Sequence, residues 1–178
     1  MLIYHFFKDL INIKINYDIG KKTWFGTGGK AKILLIINNL KSLKFLLKIL
    51  PKSYPIFLMG AGSNIIVRDG GIDGITIKLG KEFKKIDYIK GKKLINIGSA
   101  VRDLEISRFC YKNSIGNFEF LRGIPGTLGG NIVMNAGCFG SSISDKLISC
   151  TIINRNGHIK KLPKESLKFD YRFSSIPK

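Results

Sequence analysis

Histidine, cysteine and acidic residues are all scarce in this chain. Its 178 residues include two histidines, His5 and His158, and three cysteines, Cys110, Cys138 and Cys150. Twelve aspartates and glutamates stand against 30 lysines and arginines. No CxxC pair is present, so a metal centre has very few candidate ligands and none is expected. An odd, sparse set of cysteines argues against a disulfide framework and fits a reducing cytoplasm. No apolar run reaches the roughly 18 residues that a membrane span needs. The opening MLIYHFFKDLINIKINYDIG lacks the basic start, apolar core and small-residue cleavage site of a secretory signal. The lack of acid leaves a formal net charge of +18. Its lysines are spread among Ile and Asn along the whole chain, with no compact basic run and no basic motif interleaved with aromatics. Nucleic acid and membrane surfaces are therefore not expected partners, and part of the charge is left for small anionic ligands.

What is present is enough apolar residue, 44%, for a core in one domain or two small ones. Residues 1–22 have weak periodicity. A β-rich run covers Ala31 to Ile37, and Asn38 or Asn39 is placed to cap the segment LKSLKFLLKIL. There Leu40, Leu43, Leu46, Leu47 and Leu50 recur at helical spacing. IFLM then reads as a buried strand, GAGSN (Gly60–Asn64) as a loop, and Ile65–Arg68 and Ile75–Leu79 as two further strands. GAGSN is not GxGxxG and no helix follows it, which excludes the doubly wound dinucleotide fold. Such a turn is either an anion nest or a hairpin-type turn with a left-handed Asn. Beyond Phe83, KKIDYIKGKKLINIGS predicts a hairpin turning at Lys90–Lys92. VRDLEISRFCYKNSI predicts a helix, and LISCTIINRNGHIKKL predicts a hairpin turning at Asn156-Gly157.

The chain is organised around Phe118 to Gly140, FEFLRGIPGTLGGNIVMNAGCFG, which holds glycines 123, 126, 129, 130, 137 and 140. Pro125 and Gly126 mark a tight bend. TLGGNIVMN follows as a short predicted helix. Two readings suit it: a loop closing on a phosphorylated cofactor, or a Gly-rich turn between core elements.

Four stretches in order, TWFGTGG, GAGSNIIVRDGG, the Phe118–Gly140 stretch and FDYRFSS, resemble the UDP-N-acetylenolpyruvoylglucosamine reductase (MurB) flavoenzymes of peptidoglycan synthesis. The resemblance runs from about Thr23 onward. It implies an α+β, two-subdomain FAD-binding fold of the vanillyl-alcohol oxidase/PCMH type. A segment 1–22 would precede subdomains at 23–80 and 81–178, with the substrate domain missing.

It further implies that FAD is bound by Thr23 and Trp24, by Gly60, Ala61, Gly62, Ser63, Asn64 and Ile65, by Gly123, Ile124, Pro125, Gly126, Thr127, Gly129 and Gly130, and by Asn135, Ala136 and Gly137. Tyr171 would bind substrate. Arg172 would be catalytic, a planar cation beside the enolpyruvyl carboxylate. The expected reaction is NADPH-dependent reduction of UDP-N-acetylglucosamine enolpyruvate in the cytoplasm. The family's serine proton donor, late glutamate and substrate domain have no counterpart here, and Ser174 and Ser175 do not match the donor motif. A separate C-terminal half is then an expected partner. A non-catalytic FAD-binding remnant is the alternative, and a basic nucleic-acid or membrane-surface module the other.

Overall fold

A computed structural model describes residues 11–176 and divides the chain into two compact units. The first runs through Phe83 and includes Arg155–Gly157; the second comprises the remainder from Lys84.

Unit 1 is built on a four-stranded sheet in the order β1-β2-β4-β3, from β1 (Ile11–Tyr17), β2 (Ala31–Ile37), β3 (Ile56–Leu58) and β4 (Ile72–Leu79). β1 runs antiparallel to β2, whereas β2 and β3 both run parallel to β4. The central pair, AKILLII and IDGITIKL, buries Ala31, Leu34, Leu35, Ile37, Ile75 and Ile77, the near-continuous apolar run of strands covered on both faces. Helix α1 (Leu40–Ile49) buries Leu43, Leu46 and Leu47 at the predicted spacing. Asn39 caps it, its side chain accepting from Ser42 N–H at 2.8 Å. Asn39→Ala is expected to cost about 1 kcal/mol, read as a lowered thermal midpoint. The Arg155 guanidinium donates to the carbonyls of Pro51, Lys52 and Tyr54 at 3.1, 3.1 and 2.8 Å, pinning the chain between α1 and β3.

Two expectations fail here. IFLM is not a buried strand: β3 is a sheet edge and Leu58 is exposed, with only Met59 buried. Ile65–Arg68 is not a strand either. It is part of the crossover 59–71 between parallel strands β3 and β4, and it packs on loop backbone instead of joining a ladder.

Among its described residues, unit 2 contains four two-stranded ribbons and two α-helices. β5 (Ile86–Ile89) and β6 (Leu94–Ile97) form the first hairpin, turning at Lys90–Lys92 as expected. α2 (Asp103–Lys112) and α3 (Leu128–Met134) follow, then β7 (Gly137–Cys138) with β8 (Ser141–Ser142). β9 (Ser149–Ile153) and β10 (Ile159–Pro163) are joined by residues 154–158, a longer turn than Asn156-Gly157 alone. β11 (Phe169–Asp170) and β12 (Phe173–Ser174) end the unit. Val101, Ile106, Cys110, Phe120, Leu121, Leu128, Ile132 and Ile143 form its core. The α2 periodicity that predicted a helix is the same one that sends Ile106 and Cys110 inward.

Candidate functional site

In unit 1 the Gly60–Ile65 stretch begins the crossover at the carboxyl end of β3, where open sheets with parallel strands place their ligands. Gly62 is its fixed point. It has φ +79, and a Cβ there would meet Met59 Cε at 2.5 Å and the Lys22 carbonyl oxygen at 3.1 Å. Trp24 N–H donates to the Gly62 carbonyl at 2.9 Å, which joins the TW and GAGSN stretches. Thr23 is buried, and its hydroxyl is spent on its own turn, donating to Gly20 O at 2.7 Å and accepting from Gly26 N–H at 3.2 Å. Trp24 is 69% exposed, as are Leu58 and Ile66, so this loop region offers an unspent apolar surface. Gly60 and Asn64 are exposed, and Ala61, Ser63 and Ile65 are half-buried. Asn64 is not left-handed; that role falls to Gly62. Two of the three glycines of TWFGTGG serve packing: a Cβ on Gly28 would fall 1.9 Å from Val67 O, and one on Gly29 2.2 Å from Asp69 O, whereas Gly26 is left-handed (φ +76) in open space.

In unit 2 the Gly123–Gly130 stretch bends out of a 3-10 turn (Glu119–Gly123) and enters α3, with Thr127 at its N-cap position. Leu128 N–H and Gly129 N–H bond to Val101 O (3.0 Å) and Ser99 O (2.8 Å), anchoring the stretch from beneath. Gly123, Pro125 and Gly130 are exposed, Ile124, Gly126 and Gly129 half-buried, and Thr127 buried. The glycines differ in what they face. A Cβ on Gly130 would have only Thr127 Oγ1 near it, at 3.8 Å, so its space is open. One on Gly126 would fall 2.6 Å from Asn131 Oδ1 and 2.7 Å from Asp103 Oδ2, so its space is filled from inside the unit.

Asn135, Ala136 and Gly137 are an internal joint. Asn135 is left-handed (φ 42); its amide donates to Asp170 O at 3.1 Å and its Oδ1 accepts from Ser144 N–H at 3.2 Å. Ala136 exchanges backbone bonds with Asn131 and Ile143. The Asn135 bond holds the β11–β12 hairpin, whose turn is Tyr171-Arg172; Ser174 Oγ, donating to Val133 O at 2.9 Å, holds its other arm. Tyr171 is 86% exposed, Arg172 is left-handed (φ 55), and the guanidinium carbon lies 5.5 Å from the Tyr171 ring centre. The hairpin thus presents a guanidinium and an aromatic ring outward from a braced base.

The residues suit a dinucleotide carrying a flavin. Neither GAGSNI nor GIPGTLGG contains an acidic side chain, as an anionic pyrophosphate requires. In unit 1 the exposed Trp24, Leu58 and Ile66 leave apolar surface for a ligand, and in unit 2 the space at Gly130 is open. Among the described residues no group of three or more His, Cys, Asp or Glu could hold a metal. Cys110 is no nucleophile: burial first, then Glu119, pushes its thiol up to about 11. No helix of the described residues is long and apolar enough to cross a membrane. Sequence reading missed Asp103 and Asn131, buried polar residues beneath Gly126.

Comparison with known proteins fits this geometry. Residues 31–163 match the FAD binding domain family. The chain is 41% identical over 165 residues to a UDP-N-acetylenolpyruvoylglucosamine reductase of Rickettsia canadensis, covering 93% of this chain and 55% of that protein. A Pelagibacter ubique protein of the same name is 41% identical over 172 residues, covering 96% and 57%. The chain thus spans about half the length of the curated relatives it matches. The crystal structure of MurB from Thermus caldophilus superposes with a TM-score of 0.79 at 26% identity, over 94% of this chain and 57% of that one. Aclacinomycin oxidoreductase, 13% identical with a TM-score of 0.55 over 86% of this chain and 34% of that one, shares the fold alone. The fold is the α+β FAD-binding fold of the vanillyl-alcohol oxidase/PCMH type, and the chain belongs to the FAD binding domain family as a homologue of the UDP-N-acetylenolpyruvoylglucosamine reductases.

Proposed function

We propose that this chain is the FAD-binding portion of an NADPH-dependent reductase that converts UDP-N-acetylglucosamine enolpyruvate to UDP-N-acetylmuramate for peptidoglycan. The reading is carried by 41% identity across 93% of the chain to a protein of that name, with both glycine stretches ordered and free of acid. The bound FAD would supply hydride transfer between the nicotinamide and the substrate's vinyl ether. The protein's part is position and charge. Residues 60–65 and 123–130 would hold the pyrophosphate and flavin, with Thr23 and Trp24 bracing the first stretch and Asn135–Gly137 the second. Thr23, Gly126 and Asn135 would act through their neighbours, since their polar atoms or Cβ spaces are already taken. Tyr171 would bind substrate. Arg172 would pair with the enolpyruvyl carboxylate and stabilise the negative charge that grows toward it as hydride is added to the adjacent double bond.

By the family resemblance, the proton that completes the reduction would come from a serine outside these 178 residues, in the half of the relatives' length that the chain does not span. These 178 residues either take part in turnover, together with the half of the relatives' length that they do not span, or bind flavin without it. One assay separates the two: substrate-dependent NADPH oxidation by the 178 residues mixed with the C-terminal half of the Rickettsia canadensis relative. Turnover supports the first, FAD bound without turnover supports the second, and a failure to take up FAD overturns the proposal.

A further inference from the structure

Asp103 opens α2 and is completely buried, yet its Oδ2 has no hydrogen-bond partner. Its Oδ1 accepts from Asn131 Nδ2 at 2.5 Å. Asn131, also buried, belongs to α3. Asp103 Oδ2 and Asn131 Oδ1 lie within 2.7 Å of a single point, the position that a Gly126 Cβ would take. Two acceptor oxygens converge there, and Asp103 Oδ2 has no donor. A buried acceptor left unpaired is costly, and a buried unpaired carboxylate more so. One proton on Asp103 removes this cost: Oδ2 becomes a donor on the side of the Asn131 carbonyl oxygen, while Oδ1 keeps the Asn131 amide.

We propose that Asp103 is buried as the neutral acid, paired with Asn131, and that this acid–amide pair is the positioning device of the Gly123–Gly130 cofactor stretch. The flavin consequence rests on the function proposed above; the role in the stretch does not. The pair ties α2 to α3 beneath Gly126 and fills the one space where a side chain at 126 would go. Asp103 N–H also points to Gly126 O at 3.4 Å, and the Arg102–Thr127 bridge runs alongside.

Burial pushes the carboxyl up to about 6, against the Asn131 amide and the Gly126 and Asp103 backbone, which favour the ionised form. No charge sets this value. α3 and residues 124–127 contain no titratable side chain. On its own helix and the neighbouring 3-10 turn, Arg102, Glu105, Arg108, Lys112, Glu119 and Arg122 are not among the causes. An unfolded aspartate releases its proton near 3.8. Between that value and about 6 the folded unit holds up to one proton more than the unfolded one, so the stability that the neutral pair lends the stretch is lost as pH rises through about 6. Flavin affinity follows, weakening from pH 5 to pH 7.5.

The test uses the 178-residue chain. In the apo protein, the Asp103 carboxyl 13C resonance is expected to titrate near pH 6, and a midpoint near 4 would overturn the proposal. Asp103→Asn, which supplies an N–H where the acid had O–H, is expected to keep amide protection at Leu128 and Gly129. It should also keep FAD affinity within about threefold and abolish its pH dependence. Asp103→Ala is expected to lose the protection and at least tenfold in affinity. Equal protection and affinity in Asp103→Ala, or a tenfold loss in Asp103→Asn, would contradict the role. If Asp103→Ala does not fold, Asp103→Asn and the wild-type titration still decide. If the wild type takes up no FAD, the cofactor reading fails, while amide protection and the 13C titration still judge the pair.

Discussion

The chain assayed alone with FAD, NADPH and UDP-N-acetylglucosamine enolpyruvate is expected to show almost no turnover, and rescue by an added C-terminal half is expected to depend on Arg172. Hydride addition builds negative charge toward the substrate carboxylate. A guanidinium is permanently charged and meets a carboxylate in a planar fork. Under the proposed reading Arg172 would do this from a two-residue turn with a left-handed backbone, on a hairpin braced by Asn135 and Ser174. A positioned acid contributes about 10²–10⁴-fold, and orientation about 7–11 kcal/mol. Both would come from the segment supplied in trans, so both are lost together. In the complemented enzyme, Arg172→Ala is expected to lower kcat about 10²–10³-fold, as removal of one preorganised electrostatic donor does. Binding of FAD should be unchanged, because Arg172 stands in an exposed turn. Full turnover by the chain alone would refute the first part. Wild-type kcat in complemented Arg172→Ala would refute the second.

Gly126→Val is expected to abolish flavin binding, and Gly130→Ala to weaken it, by opposite routes. At position 126 a Cβ meets two buried oxygens at 2.6 and 2.7 Å, and neither can give way because Asp103 and Asn131 hold each other. The cost should exceed the ~1 kcal/mol of a generic glycine substitution and appear as a lower melting temperature of the apo protein. At position 130 the Cβ enters open space inside a helix, so Gly130→Ala should raise apo stability by up to ~1 kcal/mol. Its loss of flavin affinity would then come from crowding the ligand alone. Melting curves and FAD titrations on the two variants check this. Equal flavin affinity in Gly126→Val, Gly130→Ala and the surface change Lys90→Ala would mean that the stretch is only a turn.

Elements whose periodicity is set by their own core face were legible in the sequence. Leu43, Leu46 and Leu47 announced α1, Ile106 and Cys110 announced α2, and Lys90–Lys92 announced the first hairpin. Ile65–Arg68 has strand composition but no free ladder beside it, because the crossover joins strands already paired in parallel. Leu58 is as apolar as its neighbours, and only the strand order reveals that it sits at an edge. The site divides the same way. The two glycine stretches were legible from their density and order. That Gly126 faces inward was not, because Asp103 lies in a preceding helix and nothing local connects them. Thr23 and Asn135 were legible as positions within the motifs, but not the partners that hold them: Gly20 and Gly26 for the Thr23 hydroxyl, Asp170 and Ser144 for the Asn135 side chain.

The most direct test of the account is a titration of the purified 178-residue chain with FAD, followed by acid precipitation. No histidine lies in or next to either glycine stretch, and Cys138 lies in β7, outside them. A saturable, one-to-one yellow complex is expected, with its flavin released completely into the acid supernatant. A chain that takes up no FAD, or one whose colour stays in the pellet, would contradict it.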